Sequence, residues 1–153
     1  MIIPALADIQ REKERRRLRG DFYAYRNHLD KKLKDGWWQR DIAMHLSEFK
    51  RAYFAGEAPR LVIQAPPQHG KSVQIVDFIS WITGLDPSTK CIYASFSERL
   101  GVRANLKLQR IITSKAYQDI FPDTSISASS AVSQSVGFSR NREFIEFIDQ
   151  DIS

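Results

Sequence analysis

The sequence predicts an α/β fold: a parallel sheet with flanking helices, preceded by a helical N-terminal segment. Three observations predict it. The apolar run Leu61-Val62-Ile63 leads into a Gly-Lys-Ser turn and then a second apolar stretch, Val73 to Ile82. Another short apolar run, Cys91 to Phe96, is again followed by a stretch with helical spacing. Before about residue 56 only helical spacing is found. The order β-α-β-α implies parallel strands with helices packed on them.

Leu6 to about Lys34 reads as helix, rich in Arg, Lys, Glu and Leu and without proline. Gly20-Asp21 breaks it, and Asp21 is placed to cap a second segment, Phe22 to Leu33. That segment carries Phe22, Tyr25, Leu29 and Leu33 at helical spacing. Asp35-Gly36 ends it. Trp37-Trp38-Gln39 opens another helix with Ile42, Leu46, Phe49 and Tyr53 along one face, closed by Gly56 to Pro59.

Arg60 to Gln64 is expected to be a short buried strand. Lys71 to Thr83 is expected to be a helix with Val73, Val76, Phe78, Ile79 and Ile82 as apolar positions, stopped by Gly84 to Pro87. Cys91 to Phe96 reads as a second buried strand, which makes Cys91 a buried residue. Ser97 is a plausible N-cap, with Glu98 in the first turn of a helix reaching Thr113. Leu100, Ala104, Leu108, Ile111 and Ile112 are its core-facing positions. Tyr117 to Pro122 reads as a turn with aromatic anchors. Thr124 to Ser135 is a connector in which every second residue on average is Ser. Gly137 to Arg142 fits a hairpin turn, and Glu143 to Asp149 a strand. No internal repeat is visible.

The octapeptide Ala65-Pro66-Pro67-Gln68-His69-Gly70-Lys71-Ser72 carries the chemistry. Strand, loop and helix with Gly-Lys-Ser at the turn is the context of a phosphate-binding P-loop. A triphosphate needs converging backbone N–H groups and a fixed positive charge. The loop and the helix N-terminus supply the first. Lys71 supplies the second as a point charge on the β- and γ-phosphates. Gly70 allows close backbone approach, and the Ser72 hydroxyl is placed for Mg²⁺. Ala65 stands where the motif usually has its first Gly. Pro66 and Pro67 remove two N–H donors, so the anion cradle rests on Gln68 to Ser72. His69 is either part of that cradle or a loop residue with no role.

With 153 residues the chain has the size of one domain, burying about two-thirds of its unfolded surface. No apolar stretch approaches ~20 residues, which excludes a membrane span read from hydropathy. Met1-Ile2-Ile3-Pro4 does not resemble a signal peptide. The single cysteine cannot form an internal disulfide, which fits a cytosolic compartment. Net charge is +5, with six basic and two acidic residues between Arg11 and Arg19. That run is either a solvated helix with internal ion pairs or an arm that meets nucleic acid or an acidic partner.

The stretch "RLVIQAPPQHGKS", with "VDFISWITGLDPSTKCIYASFSERLGVRANLKLQRIITSKAYQDIFPDT" after it, resembles the ATPase region of tailed-phage terminase large subunits. The resemblance runs from about Trp37 to Asp149. It implies an ASCE-type P-loop NTPase, here the N-terminal part of a motor that packages viral double-stranded DNA into a procapsid. Residues 1–36 would form a basic helical arm and 37–153 the first part of the ATPase domain. It implies ATP and Mg²⁺ as cofactors, with nucleotide contacts from Gln39, Pro67, Gln68, His69, Gly70, Lys71 and Ser72. Lys71 would also be catalytic and Ser72 would hold Mg²⁺. Gln39, in "WQRD", matches a glutamine motif that reads adenine; the other reading is a polar residue near a helix start. Arg99, Arg103 and Arg110 are candidates for a charge on the transferring γ-phosphate, or else surface arginines. The family implies portal protein, a small terminase subunit and a ring of copies as partners. It places the work in the cytoplasm of an infected or lysogenic host, with no membrane role.

Hydrolysis also needs an apolar strand ending in Asp, and usually a Glu that activates water. Asp149 after Phe144-Ile145-Glu146-Phe147-Ile148 offers a Walker B, but Gln150 follows where Glu is expected. "NREFIEFI" also resembles an earlier strand in the terminase pattern. On that reading the chain ends before Walker B and the nuclease, and binds ATP with little or no turnover. Two rival functions remain open: a helicase-like P-loop ATPase, and a non-catalytic DNA- or partner-binding protein using the basic arm.

Overall fold

The computed structural model describes residues 6–33 and 36–124. They divide into two compact units, one up to residue 63 and one from residue 64. The first unit contains α1 (Leu6–Gly20), α2 (Phe22–Leu29) and α3 (Trp37–Phe54). The second contains α4 (Lys71–Leu85), α5 (Glu98–Ile112) and α6 (Lys115–Ile120).

In the first unit Asp21 caps α2 as its sequence position suggests, accepting from the Ala24 N–H at 3.0 Å. The helix ends earlier than its apolar spacing implies, at Leu29, because the Asp30 carboxylate turns back to accept from the Lys32 N–H. Leu18, Phe22, Tyr25, Ile42, Ala43 and Leu46 form the core. The Phe22 and Tyr25 rings stack at 6.3 Å.

In the second unit the α4 side chains of Val76, Phe78, Trp81 and Ile82 are buried with Ile112 of α5 and with Tyr117, Ile120 and Phe121 around α6. The turn expected from Tyr117 onward is the end of a short helix, capped by the Ser114 hydroxyl. Its aromatic anchors are real: Tyr117 and Phe121 are buried with ring centroids 5.1 Å apart. Tyr117 Oη donates to the Ser80 carbonyl at 3.0 Å. The expected core face of α5 is only partly core: Ile112 is buried, whereas Leu100 is 46% exposed.

The expected parallel sheet is not formed. Among the described residues every regular element is a helix, so the α/β P-loop NTPase fold, ASCE-type with a parallel sheet, is overturned here. The two segments expected as strands, Arg60 to Gln64 and Cys91 to Phe96, have no ladder hydrogen bonds. Val62 is 82% exposed, Ile92 96%, and Cys91 is exposed as well. The physical reason lies in what a strand needs. An apolar run sets β preference, but a strand is stable only when a neighbour takes its N–H and C=O groups and its apolar face is covered. Neither condition is met for these two runs. The calls for Thr124 to Ser135, Gly137 to Arg142 and Glu143 to Asp149 fall outside the described residues, apart from Thr124, which is buried.

Candidate functional site

α4 begins where the motif places it, and it differs from the other helices in having a left-handed N-cap residue followed by a lysine at its first position. Gly70 is the N-cap residue, in the left-handed region with φ 76° and ψ 10°. Gln68 is also left-handed, with φ 65°. These two turns wrap the segment from Ala65 around the start of the helix. A Cβ on Gly70 would meet nothing within 4 Å, so glycine is needed there for its φ and not for space.

The first-turn N–H groups of a helix have no partner within it. In α4 no side chain caps them and no acidic residue sits in the first turn. α2 and α6 have side-chain caps, α1 and α5 carry an acid in the first turn, and α3, like α4, has neither. α4 instead begins with Lys71, a cation at the positive end of the helix dipole, which disfavours the helix unless an anion joins it. Ser72 follows, exposed, with its hydroxyl engaging no acceptor among the described residues.

Lys71 curls back over the loop. Its Nζ donates to the Pro66 carbonyl at 2.9 Å and to the Ala65 carbonyl. The prolines that remove N–H donors therefore still contribute a carbonyl. His69 Nδ1 lies 2.9 Å from the Pro67 carbonyl. A carbonyl only accepts, so this contact is a hydrogen bond in the tautomer that carries its proton on Nδ1. Pro67, Gln68, His69, Gly70 and Ser72 are exposed and Lys71 is half-buried, as an arriving ligand requires.

Gln39 lies in the first unit, in the first turn of α3. Its side chain folds back over the N-cap residue Gly36, where a Cβ would sit 2.7 Å from Oε1. This is the third helical position, from which Gln commonly reaches back to a cap. Arg99, Arg103 and Arg110 are exposed on α5. Asp149 falls outside the described residues.

Lys107 belongs to the neighbourhood of the loop and is missing from the sequence reading. Its Nζ donates to Asp77 Oδ1 at 2.6 Å and reaches the Val73 carbonyl at 3.4 Å, which ties α5 to the first two turns of α4. One signal could have found it. Lys107 falls between Leu100 and Ile111 on the apolar face of α5, and Asp77 falls between Val73 and Trp81 on α4. Opposite charges on two facing apolar stripes imply a pair.

Among the described residues no group of three or more His, Cys, Asp or Glu side chains is arranged to hold a metal. Mg²⁺ bound with a nucleotide needs little from the protein, since phosphate oxygens and water fill most of its sphere. The Ser72 hydroxyl suits that role. In the first unit an open groove of about 290 Å³ is lined by Asp21, Tyr23, Arg40, Ala43, Met44 and Ser47. The Arg40 guanidinium lies 5.7 Å from the Tyr23 ring centroid. No helix of the described residues is long and apolar enough to cross a membrane. No protein-family model, curated protein or solved structure matches this chain.

Proposed function

We propose that the loop from Ala65 to Ser72 binds the triphosphate of ATP together with Mg²⁺. The observation that carries this reading is the start of α4: an uncapped helix N-terminus that bears a lysine and no acid. Such an end is poorly satisfied alone and well satisfied by an anion. Lys71 would exchange the Ala65 and Pro66 carbonyls for β- and γ-phosphate oxygens. The N–H groups of Gln68 to Ser72 would meet the phosphates, and the Ser72 hydroxyl the metal. The reading rests on this loop and its helix and needs no sheet.

The resemblance to terminase large subunits supplies the wider proposal. The chain would be the ATP-binding part of a motor that packages viral double-stranded DNA, working in the host cytoplasm with portal protein, a small subunit and further copies of itself. On its own it would bind ATP with little or no turnover. The basic arm as a DNA-binding device has less support, since Arg16 and Arg17 are already paired with Glu12 and Glu14.

The test is a titration with a fluorescent ATP analogue and Mg²⁺, beside the Lys71→Ala variant, with phosphate release followed in the same samples. A charge-assisted hydrogen bond is worth ~1.5–3 kcal/mol, so the variant should bind roughly 10- to 150-fold more weakly. Equal affinity in both proteins would refute the site. Sustained, Lys71-dependent phosphate release would show that the chain carries its own hydrolytic carboxylate.

A further inference from the structure

A buried acid lies close beneath the Ala65 to Ser72 loop. α4 carries one acid, Asp77, and one base, Lys71. At 100° and 1.5 Å per residue, Asp77 falls about 20° from the cap residue Gly70 around the helix and ~10 Å from it along the axis. Helical side chains lean toward the N-terminus, so the carboxylate comes nearer to the loop than its own Cα. Asp77 is buried, so little solvent screens it. A bare carboxylate in that place repels any anion arriving at the start of α4. Two unit charges ~10 Å apart at an effective dielectric constant of ~20 change a binding constant about tenfold.

Lys107 of α5 removes the repulsion. Its ammonium donates to Asp77 Oδ1 at 2.6 Å and reaches the Val73 carbonyl, one turn nearer the loop, at 3.4 Å. The ion pairs of α1 and α3 join residues three or four apart on one helix surface. This pair joins two helices and is buried at its acidic end. Stability is a weak reason for such a pair, since well-packed apolar residues in both places commonly serve as well or better. Its position beneath an anion-seeking helix end supplies a stronger reason.

We propose that Lys107 sets the anion affinity of the Ala65 to Ser72 loop by neutralising Asp77. Lys107 is a positioning residue for charge: it acts through Asp77 and touches no phosphate. The inference rests on nucleotide binding at this loop, and it adds a residue of α5 that the motif does not contain.

The experiment measures the affinity of the whole chain for a fluorescent ATP analogue with Mg²⁺, at low and at high salt. The variants are Lys107→Met, Lys107→Arg, Asp77→Asn, and Asp77→Leu combined with Lys107→Met. Circular dichroism at the assay temperature checks that each is folded. At low salt Lys107→Met should bind about tenfold more weakly, and Lys107→Arg should recover most of that loss. Asp77→Asn should bind several-fold more tightly than the wild type, although weakening the pair lowers its Tm. The double variant should bind more tightly than Lys107→Met alone, because neither charge remains. All these differences should shrink at high salt. A pair that only held the helices together would give Asp77→Asn the opposite sign, with affinity falling alongside stability. The inference is overturned if Lys107→Met binds as tightly as the wild type, or if Asp77→Asn binds more weakly than the wild type. If Lys107→Met does not fold, the sign of the Asp77→Asn change decides alone. A wild type that binds no nucleotide overturns the loop assignment together with this inference. A wild type that binds, with unmoved variants, overturns this inference alone.

Discussion

Replacing Gly84 with alanine should destabilise the second unit, even though alanine is the better helix former. Gly84 is the penultimate residue of α4, the helix that follows the Ala65 to Gly70 loop. A Cβ there would lie 2.5, 2.6 and 2.7 Å from Cδ2, Cγ and Cε2 of Phe121. These are ring atoms of a buried residue, not the free end of a flexible chain. Phe121 packs on Tyr117, and Tyr117 is tied to the Ser80 carbonyl of α4 itself. The ring can yield only by opening that cluster. Overpacking of this kind costs ~1–3 kcal/mol, and the propensity of alanine offsets ~0.5–1 of it. A net loss of about 1–2 kcal/mol follows, or ~4–8 °C in Tm per kcal/mol for a unit this small. Urea unfolding followed by tryptophan fluorescence reads it, since Trp81 is fully buried beside Phe78. A second substitution, Phe121→Leu, should be less damaging in the alanine background than in the wild type, because it removes the clash. If Gly84→Ala proves as stable as the wild type or more so, the close packing of α4 on Phe121 is refuted.

Lys107→Met should cost about 2 kcal/mol, below the cost of breaking a fully buried pair because the Lys107 side chain is 35% exposed. Adding Asp77→Leu should recover much of that in the same urea titration. Asp21→Ala removes the N-cap of α2 and should cost ~1 kcal/mol, with lower helicity by circular dichroism. Burial raises the Tyr117 hydroxyl well above its ordinary range, so the folded protein keeps it neutral where the unfolded chain ionises. The stability it contributes is complete below pH ~10 and lost as pH rises further, and the alkaline fall in unfolding free energy should be shallower in Tyr117→Phe.

Much of the helical architecture was legible in local sequence. Gly20-Asp21 announced both a break and a cap, and the Asp21 carboxylate does accept the Ala24 N–H. The start of α4 at Lys71 followed from Gly70, whose left-handed conformation ends the loop. What local reading missed depends on residues distant in the chain. Cys91 was expected in a buried strand and is exposed. Arg60 to Gln64 was expected as a second buried strand, and Val62 within it is exposed.

By itself, then, the sequence determined five of the six helices, where those five start, and which loop carries the lysine and serine suited to a phosphate. Those features arise from interactions within a few residues: caps, dipoles, backbone preferences of glycine, and periodic apolar spacing. The tertiary structure alone decided whether the two apolar runs flanking α4 became a sheet, and that Asp77 and Lys107, thirty residues apart, would pair. Strand pairing and buried charge pairs draw their free energy from partners brought close by the fold, and no local pattern specifies the partner.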